Sequence, residues 1–502
     1  MYIGIPTLFT FSLLVFTFFM FDKLLHELRK IIPKKVWDYL WPIYHFSWGW
    51  LGNLIYRWPS QKLIVIGVTG TTGKTTSVYL IAKMLSEAGY KVGYTSTAMF
   101  SDGNKEWLND KKMTMVGRLF TFRLMSKMVK NKCHYAVIET SSEGIIQYRH
   151  RFINYDVLVF TGLYPEHIEA HGSFEAYQEA KGMLFAHLKD CKTKYADNER
   201  RVKKVEAGIK KLSLNRVKKT IIVNGDDEHK DYFLNFWSEA NIEYRVMDKA
   251  PVEIKDEDFA TKDHNSHRLI AANPLINRDG VSFVLCYDHQ CFKDEQISLK
   301  LLGSFSIGNA MNAAAVGYSQ GLSLQQIKQD LESVSGIPGR LEQIAIGQPF
   351  TVIVDYAFEP RAVSKLYETV ALLPHNKIIH VLGSAGGGRD VARRPVLGKI
   401  AGEQADIVIV TNEDPYDDDP LIIMDQVALG AEKSGKILGE SLFKIYERRE
   451  AITKALSLAN ADDIVLITGK GSEQAICVKG GKKIPWDDRQ VAREELAKLK
   501  LT

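Results

Sequence analysis

The run from Thr69 to Thr76, Thr-Gly-Thr-Thr-Gly-Lys-Thr-Thr, gathers into one short loop the residue types that hold a triphosphate. It follows the apolar run Leu63 to Val68 and opens a segment with apolar residues at helical spacing, Val78, Ile81, Leu85 and Ala88. A strand that feeds a glycine-rich turn and then a helix points unpaired backbone N–H groups at one spot, where phosphate oxygens bind. Gly70, Thr71, Thr72 and Gly73 would form the cradle, with Thr76 beside it. Lys74 would reach the terminal phosphates, and the Thr75 hydroxyl would ligate Mg²⁺. The pattern is not the strict one, because Val68 stands where a glycine is expected and glycine occurs at 67 and 70 instead. The loop implies use of ATP, against the alternative of an ordinary turn in a βα unit.

Glu139 closes a second apolar run, Tyr135 to Ile138, and precedes Thr140-Ser141-Ser142. Its carboxylate is expected at the C-terminal edge of a sheet, on the phosphate side, where acids hold Mg²⁺ directly or through water. Thr161 to His167, His171-Gly172 and Tyr177 to Lys181 follow in sequence. A lone histidine is more often structural than catalytic, so the signal lies in the set.

The elements that must position these residues are short β-rich runs alternating with helical patterns, which imply a parallel sheet covered on both faces. A second series begins after Gly336-Ile337-Pro338-Gly339, with strands predicted at 351–355, 378–383, 407–411 and 464–469. The expected class is α/β: a P-loop central domain over 61–337 and a Rossmann-like C-terminal domain over 338–502, joined at a Pro/Gly hinge near residue 338. Each strand ends in a polar residue or glycine, where ligands bind in open α/β sheets.

Composition is ordinary for a globular chain, 45% hydrophobic and 25% charged over 502 residues. The five cysteines are odd in number and dispersed, and read as reduced thiols. A net charge of +5 is modest, and no nucleic-acid partner is expected. The charge is uneven: residues 189–219 carry a local +8, with an exposed basic helix expected over 202–212. Ile3 to Phe21 is nearly all apolar, long enough for a bilayer-crossing helix, with Lys23, Arg29, Lys30, Lys34 and Lys35 after it. The positive-inside rule then predicts a single-pass protein of the inner (cytoplasmic) membrane with cytoplasmic catalytic domains. Between Trp37 and Trp58 lies an aromatic collar, read equally as a membrane-interface belt or as a cap on the first domain. Residues 1–60 are thus assigned to an anchor and its juxtamembrane segment.

Taken in order, these motifs resemble the Mur ligase family, the ATP-dependent amide ligases of peptidoglycan precursor synthesis, and within it the branch that adds the third amino acid. The resemblance runs over about residues 61–497 and rests on the 69–76 loop, Glu139-Thr-Ser-Ser, Thr161 to Gly172, Glu179-Ala-Lys181, Asn224-Gly-Asp-Asp227, Gly303 to Asn309, Gly339-Arg-Leu-Glu342, Asp355-Tyr-Ala, Gly388-Arg-Asp390, Gly469-Lys-Gly-Ser-Glu473 and Ile484 to Arg489. It implies that Lys74, Thr75 and Glu139 take the phosphates and a first Mg²⁺, and that His167 ligates a second. It implies a carbamate on Lys181, because an ammonium repels Mg²⁺ whereas a carbamate presents anionic oxygens. Asn309 falls where the family contacts adenine, Arg340 where it meets the phosphates across the hinge, and Asp355 where it binds nucleotide. Thr114, Ser141 and Arg149 match the acceptor side; Arg389, Glu413, Asp414, Gly469 and Glu473 match the amino-acid side. The implied reaction converts a muramyl-peptide carboxylate to an acyl phosphate, which an amino acid's amine attacks.

The chain also departs from the family. The uridine-binding domain is expected to be missing, with the anchor in its place, which favours a lipid-linked or membrane-proximal acceptor. The motif that reads Asp-Asn-Pro-Arg in diaminopimelate-adding members is Glu413-Asp414-Pro415-Tyr416, followed by Asp417 to Asp419. Losing the arginine removes the bidentate partner of a distal carboxylate, and added acids favour a distal ammonium, so L-lysine or a similar diamino acid is expected. Phe358-Glu359 replaces a His-Thr pair, and Glu143 and Glu166 replace a His and an Asp. Two other readings stay open: a membrane-tethered poly-γ-glutamate-type polyamide synthetase, and a catalytically silent ATP-binding scaffold for wall-synthesis enzymes.

Overall fold

The computed structural model describes residues 34–109, 111, 113–117, 119–165, 171–203, 214–249, 266–277, 280–287, 290–388 and 391–499. Among them the largest sheet has 11 strands, and its middle is parallel. Ile64–Thr69 lies between Tyr135–Glu139 and Val157–Phe160, both parallel to it. All three are buried along their whole length, which is why they read as continuous apolar runs rather than alternating ones. Thr220–Asn224 and Ala240–Met247 extend the parallel set, and antiparallel strands from 266 to 299 finish that side. Register fixes what emerges where: Val68 pairs with Glu139 and Thr69 with Phe160. The glycine loop, Glu139 and Thr161 therefore leave the sheet at one edge.

Helices cover both faces. On one, Ile81, Met84 and Leu85 of Lys74–Glu87 pack with Ala310, Ala313 and Ala314 of Phe305–Ser319. On the other, Phe122, Leu184 and Phe185 pack with Val65, Ile138 and Leu158. A second, six-stranded sheet carries residues 342–467 in the order 342–343, 351–354, 464–467, 378–382, 407–411, 442–445, parallel except at its first pair. Its register brings Asp355, Gly383, Glu413 and Gly469 to one edge.

The expected transmembrane element is corrected here. Ile3 to Phe21 lies outside the described residues, and among those described no helix is long and apolar enough to cross a membrane. The fold is α/β with no membrane span among the described residues, and the single-pass inner-membrane placement and membrane partner fall with that element. One face of the aromatic collar packs as a cap on the first domain, while Phe46, Trp50, Leu54 and Trp58 are exposed. Lys34–Tyr56 is a helix whose Gly49 and Gly52 press against Phe152 and Phe122, so closely that a Cβ at either would stand 2.6 Å from ring carbon. Trp48 is buried and Asn53 Nδ2 donates to the Phe152 carbonyl at 2.6 Å.

Two smaller expectations also changed. Residues 204–213 of the basic segment lie outside the described set, and Val202–Lys203 is a strand beside 194–196 rather than a helix. Cys133, Cys191 and Cys477 are free thiols, whereas Cys286 is disulfide-bonded; the hairpin register sets Cys291 opposite it, a proximity that spacing alone does not reveal.

Candidate active site

Lys74 begins the helix behind the loop, with Gly73 before it at φ 78°. Glycine is required there, since a Cβ would meet Asn309 Oδ1 at 2.4 Å. Lys74 Nζ donates to the carbonyls of Gly70 (3.0 Å) and Thr71 (2.6 Å), folding over its own loop. Thr75 Oγ1 donates to Glu139 Oε2 at 2.9 Å. The same carboxylate accepts from the Thr97 backbone N–H at 2.8 Å and the Thr97 hydroxyl at 2.9 Å, and Thr97 Oγ1 lies 2.8 Å from Thr114 Oγ1. Glu139 is 1% exposed.

The flank of the loop is pinned by the segment after Val157–Phe160. Thr161 Oγ1 donates to the Thr72 carbonyl at 2.6 Å, the Thr71 N–H donates to the Gly162 carbonyl, and the Tyr164 N–H donates to Thr71 Oγ1 at 3.2 Å. Asp227 holds that segment in turn by accepting the Leu163 N–H at 2.7 Å. Buried Lys181 donates to the Gly70 carbonyl at 2.8 Å, with its Nζ 4.4 Å from the Tyr177 ring centre. His171 bonds Ser142 Oγ at 3.0 Å, and burial together with the nearby Lys181 charge lowers its pKa below the ordinary imidazole value. Asn309 Oδ1 accepts from Ser77 Oγ at 3.2 Å on the far side of the loop helix.

Residues beyond the hinge reach the same place. Arg340 NH2 stands 3.5 Å from Thr75 Oγ1, and its guanidinium lies 4.3 Å from the Tyr356 ring centre. Asp355 accepts from the Leu341 and Ala357 N–H groups at 2.7 Å each; burial raises its pKa, against the pull of Arg340. A cavity of about 660 Å³ opens beside them, lined by Thr76, Tyr79, Phe305, Ser306, Pro338 and Arg340.

The structure brings Lys74, Thr75, Glu139, Thr114, Lys181, Asn309 and Arg340 around the central sheet's edge, and Asp355, at the second sheet's edge, joins them by holding the Leu341 N–H. It leaves Ser141 as a helix cap accepting the Gly144 N–H, and ties Arg149 to the Met115 carbonyl. His167 and Arg389 lie outside the described residues. Thr97 was not foreseen, because it lies 42 positions before Glu139 and no motif marks it.

Two family models match this chain: the Mur ligase middle domain over 68–317 and the Mur ligase glutamate ligase domain over 339–471. A UDP-N-acetylmuramyl-tripeptide synthetase of Roseiflexus sp. is 35% identical over 89% of this chain and 81% of its own. A UDP-N-acetylmuramoyl-L-alanyl-D-glutamate–2,6-diaminopimelate ligase of Halalkalibacterium halodurans is 34% identical over 88% and 80%. The chain belongs to the Mur ligase family. A solved structure of a ligase of that second kind superposes with a TM-score of 0.54 at 26% identity, over 88% of this chain and 80% of the other. The protein is accordingly an ATP-dependent amide ligase of peptidoglycan precursor synthesis.

Mur ligase chemistry asks for Mg²⁺, and the donors suit it. Thr75 and Glu139 supply hard oxygens side by side, and the carboxylate's described partners are hydroxyls and an N–H rather than a cation. Among the described residues no group of three or more His, Cys, Asp or Glu could hold a metal. Mg²⁺ is commonly held by one or two carboxylates together with substrate phosphates. When bound, such an ion would neutralise charge on the transferring phosphoryl group.

At the second sheet's edge this Mur ligase keeps its charges paired. Lys470 Nζ sits 2.9 Å from Asp414 Oδ2 and 2.5 Å from Glu473 Oε2. Asp414 Oδ1 also accepts the Cys477 N–H at 2.7 Å. Arg448 meets Asp488 through two bonds, at 2.8 and 2.7 Å, and ties down the Thr468 carbonyl at 2.7 Å. The acidic run is likewise engaged: Asp417 accepts the Gly480 N–H, Asp418 pairs with Arg394, and Asp419 caps a helix at Leu421. Glu413 differs. Its Oε2 is buried without a hydrogen-bond partner among the described residues, wedged where a Cβ at Gly469 would stand 2.3 Å away. Burial raises its pKa, and Arg448 opposes that.

Proposed function

We propose that this Mur ligase adds L-lysine, or a diamino acid like it, to the carboxylate of a muramyl peptide. The reading is carried by one feature: the glycine loop's Thr75 lies between Glu139 of its own sheet and Arg340 from beyond the hinge. The γ-phosphoryl group passes to the acceptor carboxylate, ADP leaves, and the amine attacks the acyl phosphate, losing a proton as phosphate departs. Both first reactants are anions, so Lys74, Arg340 and Mg²⁺ offset their repulsion, the kind of preorganised electrostatics that dominates such catalysis. The nucleotide base would lie in the cavity between Tyr79 and Pro338, whose wall includes Leu341, held by Asp355, and Ser306 of the helix that carries Asn309.

His167 and a carbamate on Lys181 would serve a second Mg²⁺; in its amine form Lys181 is a cation that holds the Gly70 carbonyl. Thr114, Ser141 and Arg149 would face the acceptor, and Arg389, Glu413, Asp414, Gly469 and Glu473 the amino acid. The division of the chain at 337/338 places these two sets on separate domains. Selection of lysine rests on the missing arginine at Tyr416 and on Glu413, since the other loop acids are engaged.

The test is phosphate release by the purified full chain with ATP, Mg²⁺ and UDP-N-acetylmuramoyl-L-alanyl-D-glutamate, offered L-lysine or meso-diaminopimelate. At least tenfold faster release with lysine is expected. Preference for diaminopimelate would overturn the amino-acid assignment while leaving the ligase assignment intact.

A further inference from the structure

One contact between the two sheets uses neither of the groups placed in the chemistry above. The Arg361 guanidinium lies 4.1 Å from the centre of the Tyr164 ring. Tyr164 belongs to the segment that pins the phosphate loop, its N–H donating to Thr71 Oγ1 at 3.2 Å. Arg361 sits in the first turn of helix Pro360–Val370, which starts just past the Asp355 edge of the second sheet. The pair therefore ties the loop that receives phosphate to the element that follows the second half's nucleotide residue. Arg340 makes a parallel connection, but it also faces Thr75 and so cannot be altered without touching the chemistry. In the turn that joins the halves, Gly336 is exposed with nothing within 4 Å of where its Cβ would be, whereas a Cβ at Gly339 would meet the Ser472 backbone at 2.2 Å.

We propose that Arg361 and Tyr164 form a latch: a cation–π contact that positions the second half over the phosphate loop and sets the fraction of enzyme in the closed, productive form. A guanidinium over a phenol ring at an exposed site is worth about a two- to fivefold change in such an equilibrium. The apparent dissociation constant scales inversely with the competent fraction, so loss of the latch raises KM for ATP by about that factor, and kcat at saturation stays within about twofold. Arg361 is a positioning residue, not a catalytic one.

The test compares Tyr164→Phe, Tyr164→Leu, Arg361→Ala and the double variant Tyr164→Leu/Arg361→Ala in the full chain. The readouts are KM and kcat, binding of a non-hydrolysable ATP analogue by calorimetry, and thermal melting to verify folding. Tyr164→Phe keeps the ring and should match the parent. Tyr164→Leu and Arg361→Ala should each weaken analogue binding and raise KM, and the double variant should be no worse than either alone. Equal damage from Phe and Leu at 164, or losses that multiply in the double variant, would overturn the latch. Analogue binding does not depend on which amino acid is added, so failure here is distinguishable from failure of the lysine assignment.

Discussion

The two sheet edges present carboxylates in similar places and use them in opposite ways. At the central edge Glu139 is met by the hydroxyls of Thr75 and Thr97 and one N–H. At the second edge Asp488 is met by Arg448, and Asp414 and Glu473 by Lys470. A carboxylate held by neutral donors keeps its charge for a metal; one held by a cation has that charge offset within the protein. The partner, more than the position at a strand's end, tells the two apart.

That contrast breaks most visibly at Arg448, whose side chain is 1% exposed and whose Asp488 partner is fully buried. Arg448→Met leaves a buried carboxylate without its cation, which costs about 3–5 kcal/mol. Melting temperature measured by calorimetry should fall by several degrees, while kcat of the remaining folded enzyme stays close to that of the parent. A variant as stable as the parent would show that the second edge is not held by its ion pairs.

The complementary change is Glu139→Gln, which keeps the shape and removes the charge. Ligation of Mg²⁺ weakens, and kcat should fall about a hundred- to a thousandfold, the scale seen when one preorganised electrostatic group is lost. Stability should hold or rise, since a buried anion lacking a cation is replaced by a neutral amide. Steady-state turnover and melting curves on the same preparation decide it. A large drop in melting temperature with turnover intact would place Glu139 among the structural acids.

How much of this was legible follows from the range over which each feature is encoded. The loop, its strand and helix, and the emergence of Glu139 beside it are local patterns, and parallel register carries them into space. The role of Asp417 to Asp419 was not legible, because the partners Gly480 and Arg394 lie elsewhere in the chain. Asp488 falls within the 484–489 motif, but its partner Arg448 lies 40 positions earlier and no motif marks it. The aromatic collar stayed open for another reason: tryptophans suit a bilayer interface and a helix packing on Phe122 and Phe152 equally well, and only the glycines at 49 and 52 mark the close approach. Thr97 reaches Glu139 through strand order, which composition does not state.

A smaller effect sharpens the comparison, because each half also buries a histidine. His380 lies between the Tyr367 hydroxyl at 2.6 Å and Thr468 Oγ1 at 2.9 Å, and burial, then the Arg448 charge, lowers its pKa to about 3. His150 is lowered to about 3 by burial and by its neighbours His187 and Arg151, and its ring nitrogens have no partner among the described residues. Both are neutral when folded, whereas the unfolded imidazole takes a proton near its ordinary value of about 6.5. Between those limits the unfolded chain binds more protons, so stability is full above about pH 6.5 and falls as pH drops toward 3. At pH 5 each histidine costs about 2 kcal/mol relative to neutral pH. His380→Gln can keep both hydroxyl contacts and does not titrate, so it should remove about 2 kcal/mol of the loss between pH 7 and pH 5. Calorimetry at the two pH values measures this, and an unchanged pH dependence in the variant would mean that His380 is already charged in the fold and that the second edge tolerates one more cation beside Arg448.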